Sequence, residues 1–217
     1  AERRLRDASL EFGFKGSLTD NTSLNASLFR YDYTDFQVLQ VVGLQTVTRN
    51  AGDATVNGLE IEALSEVSDS LTLNYGVTLL DATYGEFANT NGIEPQLGEQ
   101  QLEGNYLTNS PKVSINLGLN YTSVLASGAS LTYRANAAYK SRIYFSEFNE
   151  FSQDAYTIVD LNLIWESADE TLRSRFFIKN ATDEDYISGY LSAATGGGRY
   201  GQWGNPRTAG IEIQRNF

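Results

Sequence analysis

A strict two-residue period runs through most of this chain. Val113, Ile115, Leu117, Leu119 and Tyr121 are separated by Ser114, Asn116, Gly118 and Asn120, so one face is apolar and the other small or polar. The pattern recurs as Leu71, Leu73, Tyr75, Val77 and Leu79 against Thr72, Asn74, Gly76 and Thr78. It recurs again as Leu131, Tyr133, Ala135, Ala137 and Tyr139 against Thr132, Arg134, Asn136 and Ala138. Successive side chains of a strand point to opposite faces, whereas a helix needs a period near 3.6. The alternation predicts nine strands: 5–18, 22–34, 54–66, 70–83, 111–122, 129–143, 155–166, 171–180 and 206–217. Most run about 10–14 residues, against about 5–6 for strands of soluble domains and about 9–11 for tilted membrane strands. No apolar run approaches the roughly 18 residues of a membrane helix. Such a chain can cross a bilayer only as an antiparallel β-barrel, which leaves no strand edge to lipid.

The connections alternate in length. Thr19-Asp20-Asn21, Val67-Ser68-Asp69, Ser123 to Gly128 and Ser167-Ala168-Asp169-Glu170 are tight, while 35–53, 84–110, 144–154 and 181–205 are long. Outer-membrane barrels have short periplasmic turns and long outer loops. Loop 35–53 is read as carrying its own hairpin, Phe36 to Val42 and Leu44 to Thr48 about Gly43. The polar strand face would carry Glu60, Glu62, Arg134, Lys140, Asp160, Asn162, Arg173, Arg175 and Lys179. Burying these dry is costly unless each is paired, and a watery or plugged lumen removes that cost.

Composition narrows the chemistry. The 217 residues include no Cys, Met or His, and 16 basic against 27 acidic residues give a net charge of −11. A disulfide framework, a thiolate nucleophile and a Ser-His-Asp triad are excluded. No catalytic residue, cofactor or resident metal is expected, and the acidic balance argues against nucleic acid as a partner. Ala1-Glu2-Arg3-Arg4 leads into no apolar core, so no signal peptide opens the chain. With no initiator Met, the chain reads as a processed protein or a piece of a longer one.

Four stretches carry a family resemblance. Arg49-Asn50-Ala51-Gly52-Asp53-Ala54-Thr55-Val56-Asn57-Gly58-Leu59-Glu60-Ile61-Glu62 resembles a segment of TonB-dependent receptor barrels. Asn109-Ser110-Pro111-Lys112 is similar to a strand entry of that family. Phe176-Phe177-Ile178-Lys179-Asn180-Ala181-Thr182-Asp183-Glu184-Asp185-Tyr186 resembles its penultimate-strand motif. Gly204-Asn205-Pro206-Arg207-Thr208-Ala209-Gly210, followed by a strand ending in Phe217, resembles its final strand. The resemblance implies that 1–217 is the C-terminal portion of a barrel of about 22 strands. The plug domain, the TonB box and the N-terminal strands would lie outside it. It also implies active uptake across the bacterial outer membrane of a scarce solute, such as a siderophore–iron complex, a cobalamin or an oligosaccharide. The implied partners are the TonB complex, reached through the plug, the barrel-assembly machinery, outer-membrane lipid and a small extracellular solute. Ile211, Ile213 and Phe217 resemble the signal read by the assembly machinery. Arg215 departs from the usual apolar residue two before the terminal Phe and would sit on the lipid face. Nine strands ending in the periplasm would place Ala1 at the outer face, within a loop of the whole receptor. A count of eight would instead permit a small complete barrel.

Aromatics gather at strand ends (Tyr31, Tyr33, Phe36, Tyr84, Phe87, Tyr139, Tyr144, Phe145, Phe148, Phe151 and Tyr156), as an interfacial girdle requires. Phe148, Tyr190, Tyr200 and Trp203 lie deeper in the loops and are the candidate ligand contacts. Segments 81–110 and 145–154 hold Asp81, Glu86, Glu94, Glu99, Glu103, Glu147, Glu150 and Asp154 with no Lys or Arg. This is a solvated acidic surface or, on a second reading, a place for Ca²⁺, which takes carboxylate oxygens. Inward Arg134, Arg173, Arg175 and Lys179 are expected to pair with Glu60, Glu62, Asp160 or plug carboxylates. Gly196-Gly197-Gly198 lacks the strand-then-helix setting of a phosphate loop. A passive porin is the alternative to active uptake. A barrel enzyme would need chemistry this composition lacks, and a soluble carbohydrate-binding sandwich predicts shorter strands and a second apolar face.

Overall fold

The structure, a computed structural model, describes residues 6–35, 37–42, 45–50, 52–193 and 198–216. Nine strands form one antiparallel sheet: β1 (Arg6–Thr19), β2 (Thr22–Thr34), β3 (Ala54–Ser68), β4 (Leu71–Tyr84), β5 (Val113–Val124), β6 (Ser130–Lys140), β7 (Tyr156–Glu166), β8 (Leu172–Lys179) and β9 (Thr208–Arg215). Spatial order follows chain order, each strand pairing with the next. Among the described residues β1 and β9 are the free edges, so the sheet is an arc of a larger barrel's wall. The segment predicted at 129–143 leaves the sheet at Lys140. There the Ser141 N–H still reaches the Val113 carbonyl at 2.9 Å, and Arg142 then turns onto Asp154 at 2.7 Å.

All four long loops carry a small hairpin. Gln37–Val42 pairs with Gln45–Asn50, Ala88–Thr90 with Glu99–Gln101, Ile143–Tyr144 with Ser152–Gln153, and Ile187–Ala193 with Gly198–Trp203. The first is the expected one, and its Phe36, Gly43 and Leu44 lie outside the described residues. The middle two have strands of only two or three residues, too short to show a period. The last is interrupted by Gly189, Gly198 and Gly201.

Register fixes the two faces. Leu28 pairs with Phe12 and Leu59, and Leu59 with Leu79. Leu79 pairs with Val113, and Tyr133 joins Tyr121 to Leu163. Phe176 then joins Leu163 to Ile211. These residues form the apolar outer band, which faces lipid in an outer-membrane barrel. On the other face Lys15, Asn25, Glu62, Gly76 and Asn116 share one row. The band on β4 runs from Leu71 to Leu79, about 27 Å along the strand at about 3.4 Å per residue. A tilt near 40° brings it to roughly 20 Å, close to the ~25 Å apolar band of such barrels. Above it the same face turns polar. Arg30 grips Asp32 through two nitrogens at 2.8 Å each, Thr55 Oγ1 donates to Asp32 at 3.1 Å, and Asn57, Asp81 and Thr83 continue the rim.

The expected girdle is corrected by the same parity. Tyr31 and Tyr33 share their face with Glu11 and Phe29, so they line the lumen, where Phe29 stacks on Tyr31 at 5.1 Å. Tyr84 and Phe87 are buried under the loops. The lipid-facing rings near the short turns include Tyr75, Tyr121, Tyr133 and Trp165, with Tyr121 and Tyr133 6.2 Å apart. Proximity to a strand end does not select a face; odd or even position does.

Within this chain, Arg134 and Arg175 find partners other than the expected Glu60, Glu62 and Asp160. Arg134 donates to Asn120 at 2.9 Å, and Arg175 to Asn162 at 2.9 Å and Glu212 at 3.3 Å. Glu60 and Glu62 stand three strands from Arg134, about 14 Å away at ordinary strand spacing, and Asp160 instead accepts the Asn180 N–H at 2.9 Å. Arg175 and Lys179 flank the Phe177 ring at 5.0 and 6.0 Å from its centroid.

Two glycines of the family-like stretches explain themselves here. A Cβ on Gly58 would lie 2.1 Å from the Phe29 ring, and one on Gly210 would lie 2.5 Å from the Phe177 ring. Each ring leans across the neighbouring strand onto bare backbone. Gly58→Val is therefore expected to lower barrel stability by about 1–3 kcal/mol through overpacking. Adding Phe29→Ala should recover part of the loss, as read from urea unfolding in lipid.

Candidate functional site

The outer loops are knitted into one platform. Its base is a small apolar cluster of Tyr84, Phe87 and Leu102, with Val38, Leu107 and Phe148 packed against it. Loops 85–112 and 141–155 are sewn together by amides. Asn89 donates to the Glu147 carboxylate at 3.1 Å, Asn91 to Glu150 at 3.4 Å, and Asn105 to the Glu147 carbonyl at 2.9 Å. Asn149 acts like a missing strand residue. Its side chain accepts the Tyr106 N–H at 2.8 Å and donates to the Tyr106 carbonyl at 3.0 Å. Its φ of 55° lies in the left-handed region that Asn tolerates.

Loop 180–207 is held at its foot by Asn180, which is buried. Its side chain donates to the carbonyls of Glu184 and Asn205 at 2.9 and 3.1 Å and accepts the Glu184 N–H at 2.9 Å. Asp183 then takes the Arg207 main-chain N–H at 3.0 Å and its guanidinium at 3.1 Å. The Asn180–Asp183 and Asn205–Arg207 stretches singled out in the sequence are the two halves of this clasp. Higher up, Ile187 N–H donates to Gln153 at 2.7 Å, and Arg199 reaches Glu94 at 3.3 Å and Glu150 at 3.8 Å. Arg199 thus spans three loops. Its sequence signal is that it is the lone Lys or Arg in 180–206.

The candidate contacts separate on this platform. Phe148 sits in the supporting cluster. Tyr190 stacks on Phe151 at 4.6 Å and on Phe145 at 6.4 Å, two rings the sequence placed in the girdle. Tyr200 and Trp203 are the open ones, with 55% and 68% of their surface exposed. Ile211 and Ile213 stand on the lipid face opposite Phe176 and Ser174, and Arg215 lies there opposite Leu172. Phe217 lies outside the described residues. Among the described residues no three carboxylates converge as a metal-binding group. Glu94, Glu147, Glu150 and Asp154 instead pair with amide, hydroxyl and guanidinium groups.

Glu147 is the half-buried acid of the seam. Its burial raises its pKa, with Asn89 opposing and Glu150 adding to the shift. A carboxyl whose folded pKa is raised stabilises the fold fully below its unfolded pKa, and that contribution is lost as pH rises through the folded value. Hydrogen-exchange protection of the 85–112/141–155 seam should therefore fall as pH climbs above the ordinary carboxylate range. Glu147→Gln should flatten that dependence.

Long strands with an apolar outer band, a polar inner face, short turns at one end and interlocked loops at the other define an outer-membrane barrel wall. Residues 8–181 match the family described as TonB dependent receptor-like, beta-barrel, and the chain belongs to that family. It is 24% identical over 181 residues to the "Probable TonB-dependent siderophore receptor PiuA" of Acinetobacter baumannii, covering 83% of this chain and 23% of that protein. The ferric yersiniabactin uptake receptor FyuA of Yersinia pestis superposes with a TM-score of 0.79 at 21% identity, over 98% of this chain and 30% of that one. The crystal structure of PiuA superposes with a TM-score of 0.74 at 22% identity, over 95% and 28%. The chain thus spans less than a third of the length of these relatives.

Proposed function

We propose that this chain is the C-terminal wall and part of the capture surface of a receptor that imports a ferric siderophore across the outer membrane with TonB-supplied energy. The observation that carries the reading is the family membership over residues 8–181. The aromatic platform beside an acidic rim is a second support, because stacked rings suit a planar chelating group. In this reading the arc belongs to a barrel of about 22 strands. A plug domain outside this chain fills the lumen and takes the pull of the TonB complex. Phe29, Tyr31 and Tyr33, with the Arg175–Phe177–Lys179 stack, face that plug or the passing solute. Ile211, Ile213 and Phe217 present the assembly signal to the barrel-assembly machinery. No bond is made or broken in the solute, so no residue here has a catalytic role.

The test is uptake of radiolabelled iron–siderophore complexes by cells carrying the full-length receptor. Uptake should vanish when the TonB complex is inactivated; uptake that persists favours a passive porin. Tyr200→Ala and Trp203→Ala should each weaken binding of the imported complex by about tenfold, the size of loss expected for an aromatic anchor. Phe148→Ala should act mainly on loop stability.

A further inference from the structure

The loops hold a second polar cleft that the uptake reading does not use. It has a volume of about 650 Å³ and is lined by Tyr106, Tyr144, Lys112, Arg142, Ser110 and Ser141, with Asp154 at its side. The two rings are nearly parallel, 8° apart in plane with centroids at 5.8 Å. The Lys112 ammonium lies 4.2 Å from the Tyr106 centroid. The Tyr106 hydroxyl beside it raises its pKa. Arg142 is steadied by Asp154 through Nε and Nη2 at 3.0 and 2.7 Å.

The cleft opens on the lipid side of the wall. Leu107 packs inward on the loop cluster and Ile143 is buried, so their neighbours Tyr106 and Tyr144 turn outward. Tyr106 bridges to Thr83, which shares the lipid-facing parity of Leu79 and Asp81. The floor is the rung just above the apolar band, where Ser141 Oγ accepts the Val113 N–H at 3.0 Å. The cleft therefore lies at headgroup height on the outer leaflet. Tyrosines with basic side chains favour that level, and basic pockets there hold lipid head groups.

We propose that this cleft binds the phosphate of an outer-leaflet lipid between Lys112 and Arg142, with the tyrosine hydroxyls and the Ser141 hydroxyl donating to its oxygens. The segments on either side, 81–110 and 145–154, contain no Lys or Arg, so these two cations are set apart from an otherwise acidic loop surface. Asp154, and Asp81 near the Lys112 ammonium, keep the local charge close to balanced. A free anion gains little there. A phosphate fixed in the membrane plane arrives at high effective concentration and needs little intrinsic affinity.

The experiment uses the full-length receptor in nanodiscs containing lipid A, a bisphosphorylated glycolipid, or its dephosphorylated form. Bound lipid is counted by native mass spectrometry. Wild type should retain the phosphorylated lipid at least tenfold better than K112Q/R142Q, and better than it retains the dephosphorylated lipid. Arg134→Gln on the lumen face should change nothing. If the double variant fails to insert, K112Q alone should still lose about threefold. Equal retention by wild type and these variants, or indifference to the phosphate, overturns the proposal. Displacement of the lipid by millimolar inorganic phosphate also overturns it, because the site would then be one for a soluble anion.

Discussion

Within hydrocarbon no water is available to a backbone N–H or carbonyl, so each must find its partner in the next strand. Everything else in this wall follows from that requirement. It forces strands long enough to cross, and pairing in chain order keeps every connection local. Once pairing is fixed, odd and even positions are committed to lipid or lumen for the whole arc. A slip of one residue between Leu59 and Leu79 would turn the apolar band of every strand beyond it into the lumen. The short turns help hold the register. Asp169 accepts from the Ser167 hydroxyl at 2.6 Å and from the Thr171 hydroxyl and N–H at 2.9 and 3.2 Å. These bonds, Ser167 first, lower its pKa.

Above the membrane, water is present and pairing is no longer compulsory. The chain then relies on side chains, and amides take the leading part. Asn149 and Asn180 each complete the main-chain bonds of a neighbouring segment. Between loops, Asn89 and Asn91 reach the Glu147 and Glu150 carboxylates, and Asn105 the Glu147 carbonyl. These bonds are each modest, about 1 kcal/mol net, but together they fix loops of very different sequence into one surface. Only then can Tyr190, Tyr200 and Trp203 hold defined positions toward the exterior.

This division explains what could be read from the sequence. The wall was legible because lipid and lumen impose a period on every strand, and Leu71 to Leu79 or Val113 to Tyr121 show it without interruption. The loop hairpins other than the first were not: strands such as Ile143–Tyr144 are too short to display alternation, and glycines interrupt it in the last. The aromatic readings were mixed for a related reason. Tyr31 and Tyr139 are both tyrosines near an outer strand end, yet register sends one to the lumen and the other to lipid. The partners of Arg134 and Arg175 were hidden because they depend on which strands are neighbours, which no local pattern states. Phe148 was singled out for being aromatic and deep in a loop, and those same properties suit it to the loop core.

The rings over Gly58 and Gly210 shape the inner surface of the wall. A side chain standing off the wall makes a step in the passage, whereas a ring laid across the neighbouring strand's glycine presents only its flat face. At these two heights the bore is set by the thickness of a ring and not by the length of a side chain. Each ring therefore fills the space its neighbouring strand leaves empty at the glycine, and a side chain on that strand would have to displace it.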